Sequence, residues 1–383
     1  MRILHIFGGY GGGTSMFIQN LARGAAGEHL TFDTLSFTPV PPSFRHLIRQ
    51  TGGEAYRMEN PKREGWATFR HGVEAPLRVH RYDALHFHLQ GYRVLPFLWI
   101  ARRYHVPIVL IHAHGKVDYR VHGGKEALYR RRDQWLNRHL SAAPIGCGTQ
   151  AIHDVYGATT EVPVVIPNAI EIEPFLLSDS EASEARELWR ARWGVSDGTP
   201  LVGLIGRYVA IKNHHKCFDI AAYTKAQGIA AHFVLVGAGE CEEALRREVR
   251  ERALDDVVTF VGRVEPLSTL YPALDALVLP SFSEGFPTVV LEAQAARVPA
   301  VISDVITPEV DFGLNLVHFA DLEADAARWW QEMEEARAVS RPSRDAVCEA
   351  FVSRDFTIPM AAHRYALFLE QMLEEKREGK KRS

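Results

Sequence analysis

The sequence predicts an α/β protein made of two similar halves, each a parallel sheet covered by helices on both faces. Its 383 residues exceed one ordinary hydrophobic core and fit two domains. Short apolar runs alternate with helix-length segments, and this alternation starts again near Leu201. Strands buried on both faces have such continuous apolar runs, and ligands of parallel sheets bind beyond the carboxyl ends of the strands.

The first half begins with a buried strand at residues 2–7, which ends at a glycine cluster and precedes a helical stretch at 15–23. Three further strands are predicted at 31–37, 84–88 and 107–112. We expect a first domain over 1–178, with a C-terminal helix over about 359–383 packing back on it.

The second half repeats the pattern and predicts a domain over 179–358. The acid-, Ser- and Ala-rich segment 171–197 is interpreted as an interdomain connection with one surface helix. The predicted strands are 201–205, 232–236, 257–261 and 276–279, and the predicted helices are 214–226 and 240–253.

Composition excludes several classes of protein. The 46% hydrophobic and 24% charged residues are typical of a folded chain, and the apolar stretch 94–101 is too short to span a bilayer. Glycines interrupt residues 1–20, where a signal peptide needs an apolar core, and the four cysteines are scattered. We therefore expect a cytoplasmic protein with reduced thiols, bound at most peripherally to the inner face of the membrane.

Charge is distributed unevenly along the chain. Residues 1–170 hold 20 Lys and Arg against 12 Asp and Glu, and the remainder holds 24 against 35. A basic first half suits an anionic partner or a membrane surface, although attraction between the two halves explains it equally well. No module of interleaved basic and aromatic residues indicates nucleic-acid binding.

The first candidate site is the glycine-rich loop 8–14, which lies between a predicted strand and a predicted helix. Glycines there let backbone amides approach a phosphate or a sugar. The spacing is not a clean dinucleotide fingerprint, because the third glycine would fall on Thr14. Asp33 nevertheless lies at the distance along the chain where a dinucleotide-binding protein has its ribose-binding acid, so a dehydrogenase is one alternative. The other alternative is that the loop is a tight turn that binds no ligand.

The second candidate site follows the first strand of the second half, where Gly206 precedes Arg207 and Lys212. A guanidinium fork and a mobile ammonium on one such loop can bracket a diphosphate. The alternative is two solvated surface cations.

The third candidate is the segment 280–293, after the strand at 276–279. Gly285 permits an unusual backbone angle, and Pro287 suits the first position of a helix. Glu284 and Glu292 can reach different hydroxyl groups of one polyol, and the helix dipole and nearby cations would keep them ionised. The backbone amides expected to face an anion are those of Phe286, Thr288 and Val289.

These residues resemble the retaining GT-B glycosyltransferases of family 4, strongly from Leu201 to Val310 and more loosely before. The motifs are GRxxxxKN from Gly206, the run 236–239 (VGAG), and E-x7-E from Glu284. The continuation EAQAA at 292–296 is similar to the branch that makes exopolysaccharides and capsular polysaccharides. Arg297 departs from the pattern, since many members have glycine there.

The resemblance implies two Rossmann-like domains facing each other across a central cleft. It implies that Arg207 and Lys212 bind the donor diphosphate, that Glu284 binds the hydroxyls of the donor sugar, and that Glu292 binds the ribose. Donor contacts are further implied for the backbone around Gly206 and over 285–289, and for the first-domain loop. The loop and backbone positions are Gly12, Gly13, Gly206, Gly285, Phe286, Pro287, Thr288 and Val289.

Histidine is abundant, with 18 residues, and two pairs alternate at 86/88 and 112/114. Alternation puts each pair on one face of a strand, so a metal site is geometrically open, but no further metal motif accompanies the pairs. The resemblance assigns His114 to the donor sugar and counts it with the catalytic residues. The alternative is a set of hydrogen-bonded core histidines.

We therefore expect a retaining hexosyltransferase that uses a nucleotide diphosphate sugar, with UDP-sugar favoured, and needs no metal or cofactor. The expected acceptor is a hydroxyl of a glycan or lipid-linked glycan in surface polysaccharide synthesis. Two alternatives stay open: a dinucleotide-dependent oxidoreductase and a non-catalytic nucleotide-sugar-binding protein.

Overall fold

The computed structural model of the protein describes residues 1–115, 124–159 and 161–382. The chain divides into two compact units. Unit 1 comprises Met1–Ala169 and Asp355–Ser383, and unit 2 comprises Ile170–Arg354. Each unit contains a parallel sheet with helices around it, which confirms the prediction of two Rossmann-like domains.

Unit 1 is built on a seven-stranded sheet in the order β3-β2-β1-β4-β5-β6-β7. The central strands are apolar runs that helices cover, as in other parallel sheets. Its strands are β1 Arg2–Phe7, β2 Thr31–Ser36, β3 Ala55–Arg57, β4 Ala84–Phe87, β5 Ile108–Ala113, β6 Ile145–Gly146 and β7 Val164–Val165. Its helices are α1 Gly13–Gly24, α2 Pro42–Gln50, α3 Pro61–Val79, α4 Leu95–Ala101, α5 Glu126–Leu140, α6 Thr149–Tyr156 and α13 Ile358–Arg382.

Unit 2 contains a six-stranded sheet in the order β10-β9-β8-β11-β12-β13. Its central strand β8 is buried at every position, and the fully buried Trp329 and Phe218 pack in the core beside the sheet. Its strands are β8 Leu201–Ile205, β9 His232–Val236, β10 Val258–Gly262, β11 Ala276–Leu279, β12 Ala300–Ser303 and β13 Val317–Ala320. Its helices are α7 Asp179–Arg192, α8 His214–Ala226, α9 Glu242–Glu251, α10 Thr288–Ala295, α11 Ala326–Arg337 and α12 Arg344–Ser353.

The segment 171–197 is part of unit 2 rather than a free connection. Ser178 and Glu181 form a capping box at the start of α7, which explains why the helix begins there. The helix is anchored by Arg190, whose side chain is 2% exposed. Its guanidinium donates to the carbonyl oxygens of Ser196 and Thr199 and lies 3.1 Å from a carboxylate oxygen of Asp275.

The C-terminal helix α13 packs on α1 in unit 1. Tyr365 is fully buried in the unit 1 core, and its hydroxyl lies 2.7 Å from Nδ1 of His86 on β4. The two helices approach closely at Gly24, where an added Cβ would lie 2.6 Å from the Cβ of Ala362. No helix in the described part of the chain is both long enough and apolar enough to cross a membrane.

Candidate functional site

Arg207 and Lys212 lie on the loop after β8, at the carboxyl end of the unit 2 sheet. Arg207 is exposed, and its guanidinium has no hydrogen-bond or ion-pair partner among residues 1–115, 124–159 and 161–382. Lys212 is different, because its side chain is only 16% exposed and its ammonium is held by a carboxylate. The loop therefore presents one unpaired cation beside one paired cation.

The loop is held against the neighbouring turn 237–239 by close backbone packing. A Cβ at Gly237, where φ is 149°, would lie 1.9 Å from the carbonyl oxygen of Gly206. A Cβ at Gly239 would lie 2.3 Å from the carbonyl oxygen of Tyr208. Glycine is required at both positions for steric reasons, so these two glycines position the Arg207 loop without needing contact with a ligand.

The second and third candidate segments meet at an ion pair. Nζ of Lys212 lies 2.7 Å from Oε1 of Glu284, and Oγ of Ser281 donates to the same oxygen at 2.6 Å. The backbone N–H of Phe282 also donates to the carbonyl oxygen of Ile211, which joins the two loops. The structure thus brings together two residues, 72 positions apart, that the sequence placed in separate motifs.

Helix α10 begins at Thr288, and Pro287 is its N-cap residue rather than its first helical residue. The N–H groups of a first helical turn lack acceptors within the helix and carry partial positive charge. This turn follows the ion pair directly in the chain, so Gly285 and Phe286 connect Glu284 to the start of α10. The helix N-terminus is therefore placed next to the Lys212–Glu284 pair.

Glu292 lies on α10 and is hydrogen-bonded to Tyr271, whose hydroxyl is 2.8 Å from Oε2. Desolvation raises the pKa of the Glu292 carboxyl, and hydrogen bonds from Tyr271 and Thr288 oppose this shift. The expectation that dipole and cations would favour the ionised form is therefore wrong in direction for Glu292. The reason is that burial of the carboxyl outweighs those effects.

The end of α10 explains the departure at Arg297. The N–H of Val298 donates to the carbonyl oxygen of Ala293, and that of Arg297 donates to the carbonyl oxygen of Gln294. This is the Schellman motif, in which the residue after the cap adopts a left-handed conformation that favours glycine. Arg297 has φ of 60°, and such a conformation costs an L-residue about 1 kcal/mol.

The glycine-rich loop of unit 1 leads into α1, which begins at Gly13. Oγ of Ser15 accepts from the N–H groups of Gly11 and Gly12, so part of the loop is satisfied internally. A Cβ built at Gly12 or Gly13 would meet no atom within 4 Å. Open space therefore surrounds these two positions, as backbone contact with a ligand requires.

Asp33 is not available to a ribose. It lies inside β2 with its side chain fully buried, and its oxygens accept from Arg2, from the hydroxyl of Tyr82 and from the backbone N–H of Glu54. A ribose could bind Asp33 only if the carboxylate gave up hydrogen bonds that it already makes inside the protein. The burial of Asp33 therefore argues against the dinucleotide-dependent oxidoreductase.

Five histidines form a cluster on one face of the neighbouring strands β1, β4 and β5 in unit 1. Ring nitrogens of His5 and His88 are 3.0 Å apart, those of His86 and His112 are 3.2 Å apart, and those of His88 and His114 are 2.6 Å apart. One nitrogen each of His5, His86 and His88 lies within 4.8 Å of the others, a spacing at which a metal could bind. The hydrogen bonds already use several of these nitrogens, and the expectation that the protein needs no metal stays a prediction.

Burial keeps the whole cluster neutral. Desolvation lowers the pKa of His5 and His114 to about 3 and lowers those of His86, His88 and His112 well below the ordinary value. Neighbouring histidines lower the pKa of four of them further, His114 excepted. His114 follows β5 directly, is partly buried, and can therefore offer a neutral imidazole but no positive charge.

Sequence reasoning missed three residues at these sites. His5 shares the two-residue periodicity of β1 and is the register partner of His86, so its position in the strand was a usable signal. Ser281 follows β11 directly, which is also a signal. Tyr271 lies in a turn far from Glu292 in the chain, and no local pattern indicates its contact with that residue.

Comparison with known proteins shows which class of enzyme the chain is similar to. Residues 185–312, which include both unit 2 loops and α10, match the family model of glycosyl transferases group 1. Over 359 residues the chain is 29% identical to the proposed glycosyltransferase EpsF of Bacillus subtilis (strain 168), covering 91% of each protein. An Escherichia coli UDP-Gal:alpha-D-GlcNAc-diphosphoundecaprenol alpha-1,3-galactosyltransferase is 25% identical over 60% of this chain and 59% of its own length.

Among solved structures, Anabaena HepE in complex with UDP and glucose has the same fold. The likeness covers 97% of this chain and 99% of that chain, with a TM-score of 0.75 and 18% sequence identity. These findings confirm the predicted GT-B fold class and the prediction that the chain is an enzyme of the glycosyltransferase class. The roles of individual residues stay predictions.

Proposed function

We propose that this glycosyltransferase moves a hexose from a nucleotide diphosphate sugar, with UDP-sugar favoured, to a hydroxyl acceptor with retention of configuration. The observation that carries the proposal is the contact between Lys212 and Glu284 at 2.7 Å. The bond that breaks in such a donor joins sugar to phosphate. A cation that suits the phosphate and an acid that suits the sugar hydroxyls are here in direct contact.

Charge explains how these groups would promote the reaction. Departure of the nucleotide diphosphate builds negative charge on its phosphate oxygen and positive charge on the anomeric carbon. The exposed guanidinium of Arg207, the ammonium of Lys212 and the first-turn N–H groups of α10 would stabilise this developing anion. We propose that these groups act without a divalent ion.

Retention of configuration is what the family resemblance implies. The described residues suit a mechanism in which the acceptor attacks the anomeric carbon from the same face that the diphosphate leaves. The acceptor hydroxyl would attack on the face that the diphosphate leaves, its proton passing to the departing phosphate oxygen. Glu284 is engaged by Lys212 and Ser281, which lowers its availability as a covalent nucleophile. Gly12, Gly13 and His114 keep their proposed donor contacts on the resemblance alone.

The similarity to EpsF and to the galactosyltransferase supports a lipid-linked or polymeric glycan as acceptor. The name of the galactosyltransferase specifies an acceptor linked to diphosphoundecaprenol. We propose that the chain acts in surface polysaccharide synthesis, in the cytoplasm or at the inner face of the membrane.

The donor is tested by thermal shift and product analysis. We expect UDP-sugars to raise the melting temperature more than GDP-, ADP- or TDP-sugars, because a donor at 100 times its Kd stabilises the folded state by about 2.7 kcal/mol. With the stabilising sugar, transfer to a glycan acceptor should give a product with the donor's anomeric configuration, measured by NMR, and should survive EDTA. An inverted product, or stabilisation by NAD(P) instead of any nucleotide sugar, would contradict the proposal.

We also propose a peripheral membrane contact through an aromatic and basic patch on unit 1. Trp66 on α3 and Trp99 on α4 are each 44% exposed, and their ring centroids are 5.9 Å apart. The guanidinium of Arg102 lies 5.0 Å from the Trp99 ring. Indole rings beside a cation suit the interface of an anionic bilayer.

Vesicle co-sedimentation tests this patch. The protein should pellet with phosphatidylcholine vesicles that contain phosphatidylglycerol and stay in the supernatant with pure phosphatidylcholine. Replacing Trp66 and Trp99 with alanine should abolish pelleting, whereas Leu188→Ala, at an exposed apolar residue of unit 2, should not. Pelleting that is the same in all three proteins, or absent from the wild type, would remove the proposal.

A further inference from the structure

A polar cavity lies on unit 2, away from the residues assigned to the donor. Its volume is about 350 Å³, and its lining includes three guanidinium groups and two carboxylates. These belong to Arg186, Arg297, Arg341, Asp179 and Asp275.

This cavity lies at the opposite edge of the sheet from the donor residues. Asp275 immediately precedes β11, and Arg297 lies between the end of α10 and the start of β12. Both therefore mark amino ends of strands, whereas Lys212 and Glu284 follow carboxyl ends. The cavity is thus separate from the candidate donor site.

Positive charge at the cavity is incompletely neutralised. Asp275 is shared, because its carboxylate oxygens lie 2.8 Å from Arg186 and 3.1 Å from the buried Arg190. Asp179 lies 2.9 Å from Arg297, but its side chain is 91% exposed, so this pair is weak and open to exchange.

Arg341 shows the same imbalance. Its guanidinium donates to the backbone carbonyl oxygen of Arg297. Desolvation and the charges of Arg186 and Arg297 lower the pKa of the Arg341 guanidinium, and only Asp275 opposes them. Arg186 and Arg297 are therefore close enough to Arg341 for their like charges to disfavour its charged form, and an anion beside Arg341 would relieve that repulsion.

Arg297 stands at a backbone position that glycine would fit better. Its left-handed conformation closes a Schellman motif, where glycine would fit without strain. The Arg297 side chain lines this cavity, so a glycine at the same position would remove one of its three guanidinium groups.

We propose that the cavity formed by Arg186, Arg297 and Arg341 binds the phosphate group of a small soluble anion, such as inorganic phosphate or a phosphomonoester. The three guanidinium groups of the cavity face two carboxylates, Asp179 and Asp275, and Asp275 is also paired with Arg190. A phosphate offers three terminal oxygens and a charge of about −1.5 to −2 at pH 7. An adjoining cavity of about 710 Å³, which shares Asp179 and Arg297, has room for the organic part of a phosphomonoester.

The test measures the melting temperature of the full chain with sodium phosphate, with glycerol 3-phosphate, and with sodium chloride at the same ionic strength. Inorganic phosphate can also bind near Arg207, so the comparison is made in an Arg207→Ala background. In that background we expect phosphate or glycerol 3-phosphate to raise the melting temperature by about 2–4 °C more than chloride. Whichever probe gives the larger shift identifies the free ion or the ester as the better ligand.

Adding Arg297→Gly to this background should abolish the shift. It should leave the melting temperature without phosphate unchanged or higher, because glycine relieves the backbone strain. Adding Arg341→Ala should also abolish it, and Arg247→Ala, at a 67% exposed side chain outside both sites, should not. Persistence of the shift after Arg297→Gly, its loss in Arg207→Ala alone, or an equal shift with chloride would overturn the proposal.

Discussion

Replacement of Lys212 with alanine is expected to lower kcat/KM for sugar transfer by about 10²–10³-fold, because it removes a cation that stabilises the departing phosphate. It also leaves Glu284, whose side chain is 13% exposed, without its ion-pair partner. Glu284→Gln should cause a loss of similar size, since it removes the charge with little change of shape. Both effects are measured as initial rates with a nucleotide sugar that shifts the melting temperature of the wild type.

Two controls separate this loss from a general effect of removing a lysine. Lys225→Ala removes a lysine of α8 that pairs with Asp256 at 2.6 Å, and it should keep the wild-type rate. Circular dichroism should show the same fold for all variants. A wild-type rate in Lys212→Ala, or an equal loss in Lys225→Ala, would show that the Lys212–Glu284 pair has no part in the chemistry.

Acidification from pH 7.5 to 5.5 is expected to destabilise unit 1 strongly through its five buried histidines. Their folded-state pKa values lie below the unfolded value of about 6.5, so the unfolded chain takes up protons first. The stability that the neutral cluster contributes is therefore fully present above pH ~6.5. It is lost as the pH falls below that value towards the folded-state pKa values, which are about 3 for His5 and His114.

The expected size of this effect is large. At pH 5.5 each histidine that stays neutral in the folded state lowers the free energy of unfolding by about 1 kcal/mol, so the cluster as a whole lowers it by about several kcal/mol. Total stabilities of domains are about 5–15 kcal/mol, so unit 1 should unfold or come close to unfolding. Urea titrations monitored by circular dichroism at a series of pH values measure the slope of stability against pH.

His112→Gln should reduce that slope by about one proton, because glutamine keeps a hydrogen-bonding group opposite His86 but does not titrate. His46→Gln, at an exposed residue of α2, is the matched control and should leave the slope unchanged. Equal unfolding free energies at pH 7.5 and 5.5 would mean that the cluster is hydrated or already protonated in the folded protein.

The sequence predicted the second unit more closely than the first. The bounds of β8, α8, β9 and β11 agree with the predicted ones, since these strands are short and mainly apolar runs. The strands β6 and β7 have two residues each and are too short for any periodicity to show. Their position depends on pairing with β5 instead.

For the candidate site, the sequence predicted the loops but not the contacts within them. Placing Arg207, Lys212 and Glu284 after strands needed only the rule that parallel strands end at one edge. The contacts of Tyr271 with Glu292 and of His5 with His88 depend on tertiary packing, and His5 and His88 are 83 residues apart. Whether burial raises or lowers a pKa depends on the same packing, which explains the wrong expectation for Glu292.

The packing of α13 on unit 1 affects the order in which the two units can fold while the protein is being synthesised. Unit 2 is one uninterrupted stretch of chain, whereas unit 1 needs residues 355–383, which the ribosome adds only after all of unit 2. Until Tyr365 emerges, the histidine-bearing face of the nascent sheet lacks its cover, and His86 lacks its hydroxyl partner. The core of unit 2 can therefore form before α13 has been made, while the amino-terminal part of unit 1 waits for α13. This order reverses the usual one, in which the amino-terminal domain folds first.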